Sequence, residues 1–130
     1  MITLRKRRAS GRRERGAAAV EFALVLPVLL LLVLGAIDWG WYFFLREVVT
    51  NAAREGARVG SVNQDGQAAA AAYLTRLGLT QGTAASNNGN VGGISTVRVT
   101  VTYPAGSLTG FIPMVPTTIT AQAQMRIEGT

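Results

Sequence analysis

At 130 residues the chain is one small domain's worth. It has no cysteine, so no disulfide framework or thiol chemistry is open to it, and no histidine, the commonest general base and metal ligand. The net charge of +6 would suggest a nucleic-acid partner if it were spread over a fold.

It is not spread. Arg5, Lys6, Arg7, Arg8, Arg12, Arg13 and Arg15 stand against a lone Glu14, and the remaining six positive and six negative side chains cancel. All of the excess therefore lies in residues 1–16, directly ahead of an apolar run. That order is a membrane-topology signal, and nucleic-acid binding by the leader is not expected.

From Ala17 to Ile37 the chain holds 21 residues interrupted only by Glu21. At 1.5 Å per residue they span about 31 Å, the thickness of a bilayer's hydrocarbon core. Trp39, Trp41, Tyr42, Phe43 and Phe44 follow at once, as residues at a membrane–water interface do. The positive-inside rule then puts residues 1–16 in the cytoplasm and everything after Asp38 outside the cell membrane. A buried core helix is the competing reading, but about 70 remaining residues could hardly cover it on all sides. A removed secretory signal is a second competitor, and GAIDWGW, which follows the run, fits an A-x-A cleavage site poorly.

The order of features suits a third reading. RRERG-AAAVEF places Gly16, then four small or apolar residues, then Glu21 and Phe22, at the foot of the apolar helix. This looks like a type IV prepilin processing site, which implies cleavage between Gly16 and Ala17. A carboxylate inside the apolar core is costly, about 2.5–3.5 kcal/mol at mid-bilayer and less near the edge. After cleavage the amine of Ala17 would lie one helical turn from Glu21, on the same face. Pairing with that amine, or with a neighbouring subunit's, competes with simple snorkelling into the headgroups. Pro27 cannot donate to the carbonyl of Ala23, leaving either a tolerated kink or a functional bend.

VEFALVLPVLLLLVLGAIDWG, followed by VVTNAAREGARVG, resembles the TadE-like family of pseudopilins from tight-adherence (Flp pilus) systems. The resemblance covers about the first 60 residues. It rests on Glu21 and Phe22, on Pro27, on Asp38 and on the segment holding Arg54, Glu55, Gly56 and Arg58. It implies a minor pilin-like component needed for pilus assembly or surface attachment. Its implied partners are the bilayer, a prepilin peptidase, other pilin-like subunits and the pilus assembly platform. An uncleaved signal-anchored protein with an extracytoplasmic binding domain is the alternative.

Beyond the membrane, Trp41, Leu45, Val48, Val49, Ala52, Gly56 and Val59 recur at three- and four-residue steps, predicting one helix over 17–59, transmembrane at about 17–38. Ala52, Gly56 and Gly60 make a small-residue seam, read as contact with the chain's own domain rather than dimerisation. Glu55 and Arg58 are read either as a local i,i+3 pair or as a contact surface for assembly partners.

Residues 60–130 are predicted as a small α+β domain. Asp65 is placed to cap a helix through Leu77, stopped at Gly78. TQGTAASNNGNVGG, residues 80–93, is expected to be a flexible loop, with a tight turn at Asn87-Asn88-Gly89. Alternating valines in TVRVTVTY and alternating apolar residues in TTITAQAQMRIE predict two antiparallel strands. The connection between them carries Phe111, Ile112, Met114 and Val115, expected to pack over the sheet. No catalytic pair emerges from Glu47, Glu55, Asp65 and Tyr73, and no enzyme activity, metal or cofactor is expected.

Overall fold

The computed structural model describes residues 10–111 and 115–128, with side chains from Arg15 onward. The basic leader through Arg13, and Ile112 and Met114 of the apolar connection, lie outside the described side chains.

One helix, α1, runs from Ser10 to Ser61. Its 52 residues make a rod about 78 Å long. Pro27 sits inside it without ending it. The rod changes character along its length. Leu29, Leu30, Leu31 and Leu32 are each 49–68% exposed. Four consecutive residues at 3.6 per turn point to every side of a helix, so no face is spared. A helix bare and apolar all round needs an apolar medium all round. The stretch is long and apolar enough to cross a membrane, and none of it is buried against the domain. Among the described residues it is the one helix with the length and composition for a membrane anchor.

From Leu45 the same helix becomes one-sided. Leu45, Val48, Val49, Ala52, Ala53 and Ala57 are buried, while Arg46, Glu47, Arg54 and Arg58 stay exposed. Going up the rod, this stripe shrinks from leucine and valine to alanine and glycine, which draws the neighbouring elements closer.

The second helix, α2, spans Gly66–Arg76. The chain turns into it through Asn63 at φ 59. The Ala68 N–H donates to Asp65 Oδ1 at 2.9 Å, satisfying one of the donors left open at a helix start. At the other end Gly78 takes φ 77. Gly78 N–H donates to the Thr75 carbonyl and Leu79 N–H to that of Leu74. Leu74 and Leu79 are both buried, completing a Schellman stop with its apolar contact.

Three strands follow, β1 at Thr83–Val91, β2 at Ile94–Pro104 and β3 at Thr118–Arg126. They form one antiparallel sheet in the order β1-β2-β3. The fold is α+β, a long N-terminal helix with a second helix and a small sheet. Val97, Val99 and Val101 of β2 are fully buried, and each such side chain contributes about 1.5–3 kcal/mol. Ile119 and Ile127 join them, with Ala121 and Ala123 half-buried beneath α1. The outer face is polar: Arg98 donates to Gln124, and the hydroxyls of Thr102 and Thr120 meet at 3.3 Å.

Strand β1 corrects the expected loop. Thr83–Val91 pairs with β2 along its whole length, and Asn87, Asn88 and Gly89 face Arg98, Val97 and Thr96 in the ladder rather than turning. The turn lies at Gly92-Gly93, with φ 60 and 84. Two consecutive positive φ values are what a two-residue type I′ hairpin requires. The sequence of β1 shows no apolar alternation because its strand character comes from backbone pairing to β2, not from side-chain burial.

The connection after β2 also departs from expectation. Ala105 N–H donates to the Thr117 carbonyl and closes the base of the loop, with Ala105 and Val115 buried. Leu108 and Phe111 do not cover the sheet; they are 59% and 66% exposed.

Candidate functional site

The candidate residues fall at three levels of α1. At the lowest, Gly16, Ala17, Glu21 and Phe22 all lie in helix and are all exposed. A Cβ added to Gly16 would meet nothing within 4 Å. Glu21 follows Ala17 by four residues, so both sit on one face, one turn apart. Phe22 and Pro27 are likewise exposed, free to meet lipid or a neighbouring helix.

The middle level is Asp38, whose side chain is fully buried although the residues around it are bare. Three donors converge on it. Ser107 Oγ donates to Oδ2 at 2.6 Å, Thr109 N–H to Oδ1 at 2.8 Å and Thr109 Oγ1 to Oδ2 at 2.7 Å. Ser107 Oγ in turn accepts from Gly110 N–H at 2.7 Å. Bonds from fixed donors to a carboxylate are the stronger kind, and a buried carboxylate needs them. The sequence singled out Asp38 but not Ser107 or Thr109. They lie 69 and 71 residues away, and a Ser/Thr pair in a glycine-containing loop carries no sign of such a partner.

Aromatic residues surround this level. Trp39, Phe43 and Phe44 are exposed, and Trp41 and Tyr42 rest partly on the domain core. Trp39 meets Tyr42 edge-on at 5.8 Å, and Trp41 stacks on Phe44 at 5.4 Å. Such a cluster at the end of an apolar span suits the headgroup layer.

The upper level holds Arg54, Glu55, Gly56 and Arg58. Arg58 Nε and Nη2 donate to the two oxygens of Glu55 at 2.9 and 2.7 Å. These bonds hold the Glu55 carboxyl below its ordinary range and push the Arg58 guanidinium up. Arg54 is exposed. Gly56 faces the other way, into the crossing of α1 and α2. A Cβ there would lie 2.6 Å from the Gly66 carbonyl oxygen and 2.9 Å from both Ala70 Cβ and Val99 Cγ1. The small-residue seam thus packs against the chain's own domain. Among the described residues no group of three or more Asp or Glu side chains gathers as a metal site.

All three levels fall within one stretch of α1. A family model described as TadE-like protein matches residues 16–58. Over that segment, about a third of the chain, the sequence is similar to the TadE-like family. The match begins at Gly16 and ends at Arg58, one turn short of the end of α1. It thus takes in the apolar span, Asp38 and the glycine crossing. Comparison with curated proteins and with solved structures returned no match.

Proposed function

We propose that this chain is a minor pseudopilin supporting Flp-type pilus assembly or surface attachment. Residues 1–16 form a cytoplasmic leader, removed by a prepilin peptidase after Gly16. The helix from Ala17 crosses the inner membrane once, and residues 60–130 form the extracytoplasmic domain on its upper half. Trimming at Gly16 removes all of the net positive charge and leaves a neutral subunit.

The observation that carries this reading is the order of features on one uninterrupted helix. An exposed Gly16–Glu21–Phe22 motif is followed by an apolar span bare on every side, then by a face already occupied by the chain's own domain. The upper face is used up internally. Apolar helix-to-helix contacts therefore fall to the lower half, where Glu21 stands among exposed apolar side chains. Its carboxylate is costly in lipid and is neutralised by the α-amine of Ala17, from the same or an adjacent subunit. No catalytic step is required, and the work is lateral helix packing within the pilus machinery.

Glu21→Ala tests the role. The variant should insert in the membrane as the wild type does, yet fail to restore pili or surface attachment in cells lacking the protein. Full restoration by Glu21→Ala would refute the pairing.

A further inference from the structure

Strand β2 runs down α1 toward the membrane. Cβ atoms built on Gly60 and Gly56 would each lie 2.9 Å from a methyl of Val97 and Val99 respectively. Two residues of strand thus match four residues of helix, steps of about 6–7 Å each. Continued on that scale, the end of β2 stands level with α1 residues in the mid-forties. The loop that follows then reaches Asp38, about 10 Å further down the helix.

We propose that this loop is a second membrane contact, inserting Leu108 and Phe111 into the headgroup–acyl boundary beside the anchor helix. Leu108 lies between the two residues that grip Asp38, so its backbone is fixed at that depth. Phe111 is held there as well, because its N–H donates to Thr109 Oγ1 at 3.4 Å. Both side chains are largely exposed, and they share this level with exposed Ile37, Trp39 and Phe43 of the helix. Charge favours the same occupant. No Asp, Glu, Lys or Arg occurs between Arg98 and Arg126, so nothing charged opposes entry into lipid. Asp38 itself is shielded from lipid by the Ser107 and Thr109 bonds and acts as the rivet between loop and helix. Two contacts at one depth fix the domain's tilt on the membrane, which a single helix leaves open. The inference rests on membrane anchoring alone and stands whether or not the leader is cleaved.

The chain has no cysteine, so single-cysteine labelling is direct. Leu108→Cys and Phe111→Cys would each carry a nitroxide in the full chain, reconstituted into phosphatidylethanolamine–phosphatidylglycerol vesicles. Asn88→Cys, on exposed β1, serves as the control for the label's own lipid affinity. Collision with oxygen against collision with a water-soluble nickel chelate reports depth. Labels at 108 and 111 should read below the phosphates, by about 5–10 Å, and the label at 88 should read as aqueous. Adding Asp38→Asn, or Thr109→Val where the asparagine variant does not fold, should shift the 111 label toward water. Aqueous readings at 108 and 111 in protein with native near-ultraviolet dichroism would overturn the proposal. So would labels shielded from both reagents, which would mean that a protein surface covers the loop. A 111 label that stays deep in the folded Asp38 or Thr109 variant would remove the rivet role.

Discussion

Replacing Gly56 with alanine asks whether the domain is built on the close crossing of α1 and α2. The new methyl would sit 2.6 Å from the Gly66 carbonyl oxygen and 2.9 Å from Ala70 Cβ and Val99 Cγ1. Ordinary contact at such pairs begins near 3.4 Å. The helix, α2 and the central strand must all give way together, and two of the three obstacles are a backbone oxygen and a short, stiff side chain. Overpacking of this kind costs about 1–3 kcal/mol, and a backbone clash belongs at the upper end. Alanine returns about 1 kcal/mol through its better helix propensity. The net is a loss of about 2 kcal/mol, a fall in melting temperature of roughly 8–16 °C for a domain of this size. Thermal unfolding of the full chain in detergent, followed by near-ultraviolet dichroism, measures it. Gly40→Ala is the matched control, because a Cβ there meets nothing within 4 Å. It should melt at or slightly above the wild-type temperature. A Gly56→Ala protein as stable as the wild type would refute the crossing.

Gly93→Ala probes the hairpin that replaced the expected loop. With φ 84 and open space around it, the cost is backbone alone, about 1–2 kcal/mol, and amide protection along β1 should fall before that of β3. Unchanged protection in β1 would argue against the turn. The carboxyl of Glu55 should titrate below an ordinary glutamate by carbon NMR and rise in Arg58→Ala, which removes the largest cause of the depression. Because its folded pKa is depressed, the pair adds stability above the unfolded pKa and loses it as pH falls through the folded one. The pair is exposed, so the effect is small and should fade with added salt.

The elements that were legible in the sequence are those whose side chains face a boundary. The span announced itself by composition, α2 by Asp65 and Gly78 at its ends, and β2 and β3 by alternation against a core. Strand β1 was hidden because alanine, serine and asparagine alternate nothing, and only the valine-rich partner beside it makes the pairing. Its one local signal was the Gly92-Gly93 pair, which the run of asparagines before it obscured. The partners of Asp38 were hidden for a different reason. Hydroxyl groups in a loop are generic donors, and their target is set by how far β2 carries the chain back along α1. The Gly56 seam could be read as small-residue packing, but what it packs on depends on α2 folding back across it.

The central claim is a helix that begins as a processed pilin-like terminus and ends as the backbone of a domain. The most direct test is the intact mass of the protein extracted from membranes of cells that contain the prepilin peptidase. The account predicts a chain beginning at Ala17, and the uncut chain in cells lacking the peptidase. A chain that retains the residues before Ala17 in both strains would contradict it, leaving a membrane-anchored domain without a pilin-like origin.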